Sequence, residues 1–154
     1  MTIAPLVAQH VEEAVHGNWT DIYLDDAIAD VTYDEAIHVP AGLVNSIAML
    51  VNHLKFYNYV VMERLMGTDP EIDSSNGLVT DIQNEDDWLL LKKHTLDSFT
   101  RLANVVKQLP DGNLQALTPN GSTTFYKTLH GISEHAHYHL GQIVLLTKLV
   151  RAGK

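Results

Sequence analysis

The sequence predicts an all-α protein, a four-helix bundle built as one domain over residues 1–154. Three observations carry this reading. Four stretches repeat apolar residues every three or four positions, the segments between them are polar or marked by Pro and Gly, and 154 residues of which 45% are apolar suffice for one core.

The first helix is expected from about Pro5, a favourable early helix position, to His16, with Gly17 and Asn18 ending it. Ile22, Leu24, Ile28 and Val31 then suggest a short helix lying over the bundle, before Val39, Pro40 and Ala41 lead onward. The second helix is expected from about Gly42 to Met66. Leu43, Ile47, Leu50, Leu54, Tyr57, Val61 and Leu65 form its stripe, and Gly67 stops it.

Thr68 to Asp86 is acidic and carries Pro70, Ser74, Ser75, Asn76 and Gly77, so it reads as a long irregular crossover connection between helices 2 and 3. The third helix is expected from Asp87 to about Leu109, on Trp88, Leu91, Thr95, Phe99, Leu102 and Val106. Pro110, Asp111 and Gly112 close it. Asn120, Gly121 and Ser122 precede the last helix, about Thr123 to Val150. Four long amphipathic segments with no internal repeat favour a bundle over a solenoid.

Ten Lys and Arg against nineteen Asp and Glu leave a net charge of -9, which repels phosphate backbones and anionic lipid. Neither a nucleic acid nor a membrane is expected as a partner. No run approaches the roughly 20 apolar residues that span a bilayer, and Met1 to Val7 lacks a signal-peptide pattern, so a cytoplasmic location is expected. With no cysteine, a metal ion would have to be held by His, carboxylate or amide oxygen.

Nine histidines make geometry the sorting criterion. At about 100° per residue, His135 and His139 project within about 40° of each other, one turn apart, and can chelate one ion. Gln142 and Thr128 fall on the same stripe. His130 and His137 share another, exterior face. Two imidazoles leave an ion short of ligands. His53 is the best third, because its helical neighbours Met49, Leu50, Phe56, Tyr57 and Val60 make an inward apolar stripe on which a lone imidazole would bury polar nitrogens. A core histidine bonded to a backbone carbonyl would leave the same trace at any one of these positions. His10, His16, His38 and His94 show no such concert. Tyr57 and Gln142 are placed to line a pocket beside the ion, and core packing or helix capping would also account for them.

Other metal motifs fit less well. Glu134 precedes His135 off the ligand stripe, so there is no zincin HExxH. Glu35-x-x-His38 and Glu134-x-x-His137 match the ExxH unit of di-iron bundles, but the first lies outside a long helix and the second faces outward.

The run His135-Ala-His-Tyr-His139-Leu-Gly-Gln-Ile-Val, continuing to Leu149, resembles the last-helix signature of the DinB-like superfamily of metalloenzymes. Asn45-Ser-Ile-Ala-Met-Leu-Val-Asn-His53 resembles that family's second-helix motif, and Gly17-Asn-Trp19-Thr20 with Leu24, Asp34, Glu35 and Ala36 resembles its first connection. Asn45 departs from the pattern, standing where many members carry a further histidine. The resemblance implies a bundle with one divalent ion on His53, His135 and His139, nickel or zinc first and iron or manganese as alternatives, and often a homodimer. It also implies hydrolase or thiol-dependent transferase chemistry on a small-molecule substrate that the sequence does not identify. No general base is evident beside the three histidines. A metal-binding or small-ligand-binding bundle without turnover is the alternative.

Overall fold

The computed structural model describes residues 2–17 and 20–153. Seven helices follow in chain order: α1 Ala4–His16, α2 Leu24–Ala29, α3 Tyr33–Ile37, α4 Ile47–Leu65, α5 Glu85–Lys107, α6 Asp111–Gln115 and α7 Phe125–Ala152. The described residues contain no strand, only an isolated bridge between Leu117 and Thr124. The four long helices form the bundle. Each packs on two others, in the ring α1, α5, α4, α7.

Side-chain caps, more than apolar spacing, set where α4, α5 and α7 start. Leu43 continues the stripe of Ile47 and Leu50, yet α4 begins at Ile47 rather than Gly42, because Ser46 Oγ accepts the Met49 N–H at 3.3 Å. Leu43 is left 44% exposed, outside the core. Asn84 caps α5 in the same way, accepting from Asp87 N–H at 3.0 Å, so that helix starts two residues before Asp87. The single short helix expected over the bundle is two, α2 and α3, the second opened by a capping box between Thr32 and Glu35. The short helix α6 carries no apolar period. Its Asp111 carboxylate accepts from the Ile3 and Ala4 N–H groups at 2.8 and 2.9 Å, placing negative charge at the start of α1.

Trp88, Phe99, Leu102, Leu54, Leu129 and Ile143 are among the largest fully buried side chains. Trp88 also donates from Nε1 to the Val31 carbonyl at 2.7 Å, tying the α2–α3 segment to the bundle.

The connection between α4 and α5 positions the site. It runs back along α4: Asp69 meets Arg64, Asn76 meets Tyr57 and His53, and the carbonyls of Gly77 and Val79 accept from Asn52. The two helices it joins are therefore parallel neighbours, with Thr95 reaching the Val51 carbonyl and Asn58 reaching Ser98. The turn in this connection is tight. Asn76 and Gly77 both adopt positive φ, 53° and 72°, and a Cβ on Gly77 would sit 2.6 Å from Phe56 Cβ.

Candidate metal centre

His53 on α4 meets His135 and His139 on α7, and their ring nitrogens lie within 4.8 Å of one another. His135 Nε2 is 3.0 Å from His53 Nε2 and 3.0 Å from His139 Nε2. Two nitrogens bound to one zinc-like ion at about 2.05 Å, at angles of about 90 to 110°, are themselves about 2.9 to 3.4 Å apart. Two of the three nitrogen pairs have the spacing of a ligand set, and the third lies within 4.8 Å. All three rings meet edge to face, with His135 and His139 centroids 4.5 Å apart.

The far nitrogens decide which way the protons lie. His53 Nδ1 is 2.5 Å from the Asn76 carbonyl, which can only accept, so the proton sits on Nδ1 and Nε2 carries a lone pair. His139 Nδ1 is 2.6 Å from Gln142 Oε1, which accepts in the same manner, while Gln142 Nε2 donates to the Tyr138 hydroxyl at 3.2 Å. Two Nε2 lone pairs thus point at His135 Nε2. A proton there serves one neighbour, whereas a cation serves all three nitrogens. This donor set fits a divalent ion.

The electrostatics favour the neutral ligands an ion requires. Burial, followed by the neighbouring His139 and His53, lowers His135 from 6.5 to about 4. His139 is also lowered, chiefly by burial, against the opposing pull of its bond to Gln142.

Tyr57 and Gln142 both reach the site, in different roles. Tyr57 packs edge-on against His53 and His135 and donates its hydroxyl to Asn76 Oδ1. Gln142 holds His139. Asn76 is the residue that spacing along the helices does not reveal. Its left-handed backbone lets its carbonyl serve His53 while its side chain serves Tyr57. The Asn-Gly pair signals the turn, but only the return of the chain along α4 brings it to the site.

The remaining histidines lie elsewhere. His16 pairs with Asp25 at 2.8 Å. His10 stacks on His130 at 5.4 Å. His137 is half-buried rather than exterior, donating from Nδ1 to the Ser133 carbonyl at 2.7 Å. His38 follows α3, and His94 is exposed. Neither ExxH unit assembles a second centre: Glu35 pairs with Arg151, and Glu134 lies exposed, 3.5 Å from His130.

The family model of the DinB superfamily matches residues 19–143. The chain belongs to the DinB superfamily. The match spans α2 to most of α7 and includes all three histidines. Trp19, part of the resemblance in the first connection, lies outside the described residues. No curated protein matches the chain. Among the described residues, no helix is long and apolar enough to cross a membrane.

Proposed function

We propose that this DinB superfamily protein is a metal-dependent enzyme that binds one divalent ion, nickel or zinc in first place, on His53, His135 and His139. The observation that supports it most is the convergence of three Nε2 atoms, two of them fixed as lone-pair donors by bonds from Nδ1. Three neutral ligands leave the charge of such an ion uncancelled, and when bound it would supply a Lewis acid with open positions for a small molecule.

The surroundings favour a low-molecular-weight thiol over water as the activated group. Among the described residues, the cavity beside His53 and His135, of about 380 Å³, has no carboxylate in its wall, and the Tyr57 hydroxyl is already committed to Asn76. A thiol starts near pKa 8.5 and ionises beside a cation with little help, whereas water starts near 15.7 and gains more from a general base. The reading is therefore a thiol-dependent transferase, with a hydrolase second. The missing base equally suits a bundle that binds metal or ligand without turnover.

Metal analysis of protein purified without a histidine tag, followed by turnover screens with thiol–electrophile pairs and esters on loaded and chelated protein, tests the reading. About one ion per chain and thiol-dependent turnover lost on chelation are expected; ion-free protein would refute it. A homodimer belongs to the same proposal. Tyr138, Leu145 and Leu149 are exposed on α7, and a mass of one chain in light scattering would remove that part.

A further inference from the structure

Arg64, in the last turn of α4, lines the same cavity as His53, Tyr57, Asn76, Thr128 and His135. Its side chain is only 17% exposed. Among the described residues it makes one hydrogen bond, from Nε to Asp69 Oδ1 at 2.8 Å. Arg151 is the instructive contrast, since its Nε and Nη2 reach Glu35 and the Asp30 carbonyl. Arg64 is oriented by Asp69 through one edge, while its two Nη groups, the edge that grips an oxyacid through paired N–H donors, have no partner among the described residues. Unlike a buried orphan, these donors reach solvent, so an incoming oxyacid would exchange with water there and find the guanidinium already oriented.

A buried orphan stands in the same wall. Thr128 Oγ1 is buried and has no hydrogen-bond partner among the described residues. A helical threonine has two accessible χ1 rotamers, and turning from one to the other exchanges methyl for hydroxyl at the cavity surface. The wall thus holds a fixed cation and a hydroxyl without a protein partner, in a chain of net charge -9.

We propose that Arg64, assisted by Thr128, is the recognition subsite for an oxyacid group, carboxylate or phosphate, on the small molecule that reaches the three histidines. This names the substrate class of the site proposed above and rests on that reading for its meaning. The anion binding itself does not require the ion. Asp69 holds the guanidinium in place, the Nη edge takes the oxyacid, and the rest of the molecule extends along the cavity toward His53 and His135.

The test is a titration of the full-length protein, as purified with its ion content measured and again after chelation, with inorganic phosphate and with acetate at constant ionic strength. The readouts are the NMR signals of the Arg64 Nε–H and the Thr128 amide. Saturable shifts with at least one anion, in both metal states, are expected. R64Q should weaken binding about tenfold or more, and T128V about threefold. R64K, which keeps the charge and loses the paired donors, should fall between wild type and R64Q. The better-binding anion identifies the oxyacid. Shifts that never saturate, or R64K and T128V variants that both bind as wild type does, overturn the subsite. Binding that disappears on chelation and is indifferent to R64Q places the anion on the ion and overturns it too. Saturable, Arg64-dependent binding in protein that holds no ion would leave the subsite standing while the metalloenzyme reading falls.

Discussion

Gln142 offers the sharpest perturbation of the centre, because it touches a ligand without being one. In Gln142→Leu the His139 Nδ1–H loses an acceptor at 2.6 Å, on a ring only 8% exposed. An unpartnered buried N–H costs about 1 to 3 kcal/mol. Most of that cost is felt by the metal-free protein as well, where the same bond exists, so it appears chiefly as lost fold stability. The metal affinity changes only by the part of the bond that strengthens when an ion draws charge from the imidazole. Partners of ligating histidines are worth about 10- to 100-fold in affinity. Gln142→Leu should thus weaken zinc or nickel binding about 10- to 100-fold in a chelator competition at pH 7. Gln142→Glu puts a carboxylate on the same nitrogen, makes the ring more basic, and should strengthen binding. Opposite signs from two substitutions of similar volume cannot arise from packing alone. Unchanged affinity in both variants would refute the assignment of Gln142 as the group that orients His139.

Other predictions follow from the same geometry. His53→Ala, His135→Ala and His139→Ala should each lose the ion at neutral pH while His137→Ala keeps it, as elemental analysis would show; stoichiometric metal in all three of the first set contradicts the centre. The chelated protein should lose stability as pH falls from 6.5 towards 4. Across that window the unfolded chain protonates His135 and the folded chain, with His135 lowered to about 4, does not. With partial exposure discounted the loss over the whole window is on the order of 2 kcal/mol; urea unfolding at pH 7, 5 and 4 measures it, and His135→Gln should flatten the dependence. Gly77→Ala should destabilise by about 1 to 3 kcal/mol, since it combines positive φ with a clash on Phe56. A wild-type urea midpoint in that variant would show that the Asn76–Gly77 turn does not hold the connection against α4.

The histidine pair was legible because both members lie on one helix, where a spacing of four residues fixes their relative direction whatever the tertiary structure. His53 was legible for a weaker reason: an imidazole on an apolar stripe needs a partner, and the partner could be named only as whatever else in the chain sought one. The bundle followed from four periodic segments. Periodicity also ran the second helix back to Gly42, because Leu43 keeps the spacing while Ser46, which ends the argument, is a polar residue that periodicity ignores. His137 shows the converse. Projection placed it correctly off the ligand face but not its burial, which depends on the other helices around α7.

Asn76 and Arg64 lay beyond this reach for a common reason, whereas Thr128 already falls on the stripe of His135 and His139. Both acquire their roles from the course of residues 67–84, which return along α4 and bring the Asn76 carbonyl to His53 and the Asp69 carboxylate to Arg64. A loop without period carries no direction in its sequence. Its path is set by long-range bonds such as Asn52 to Gly77 and Val79. The three histidines sit on helices that fold by local pattern and mutual burial, whereas the groups that orient His53 and line the approach are supplied by the irregular connection and by surfaces it covers. Changes in that connection can therefore alter what enters the cavity while leaving the three imidazoles in place. Within a shared bundle, the residues that shape what the cavity admits are better sought in that connection and the helix surfaces facing it than among the histidines.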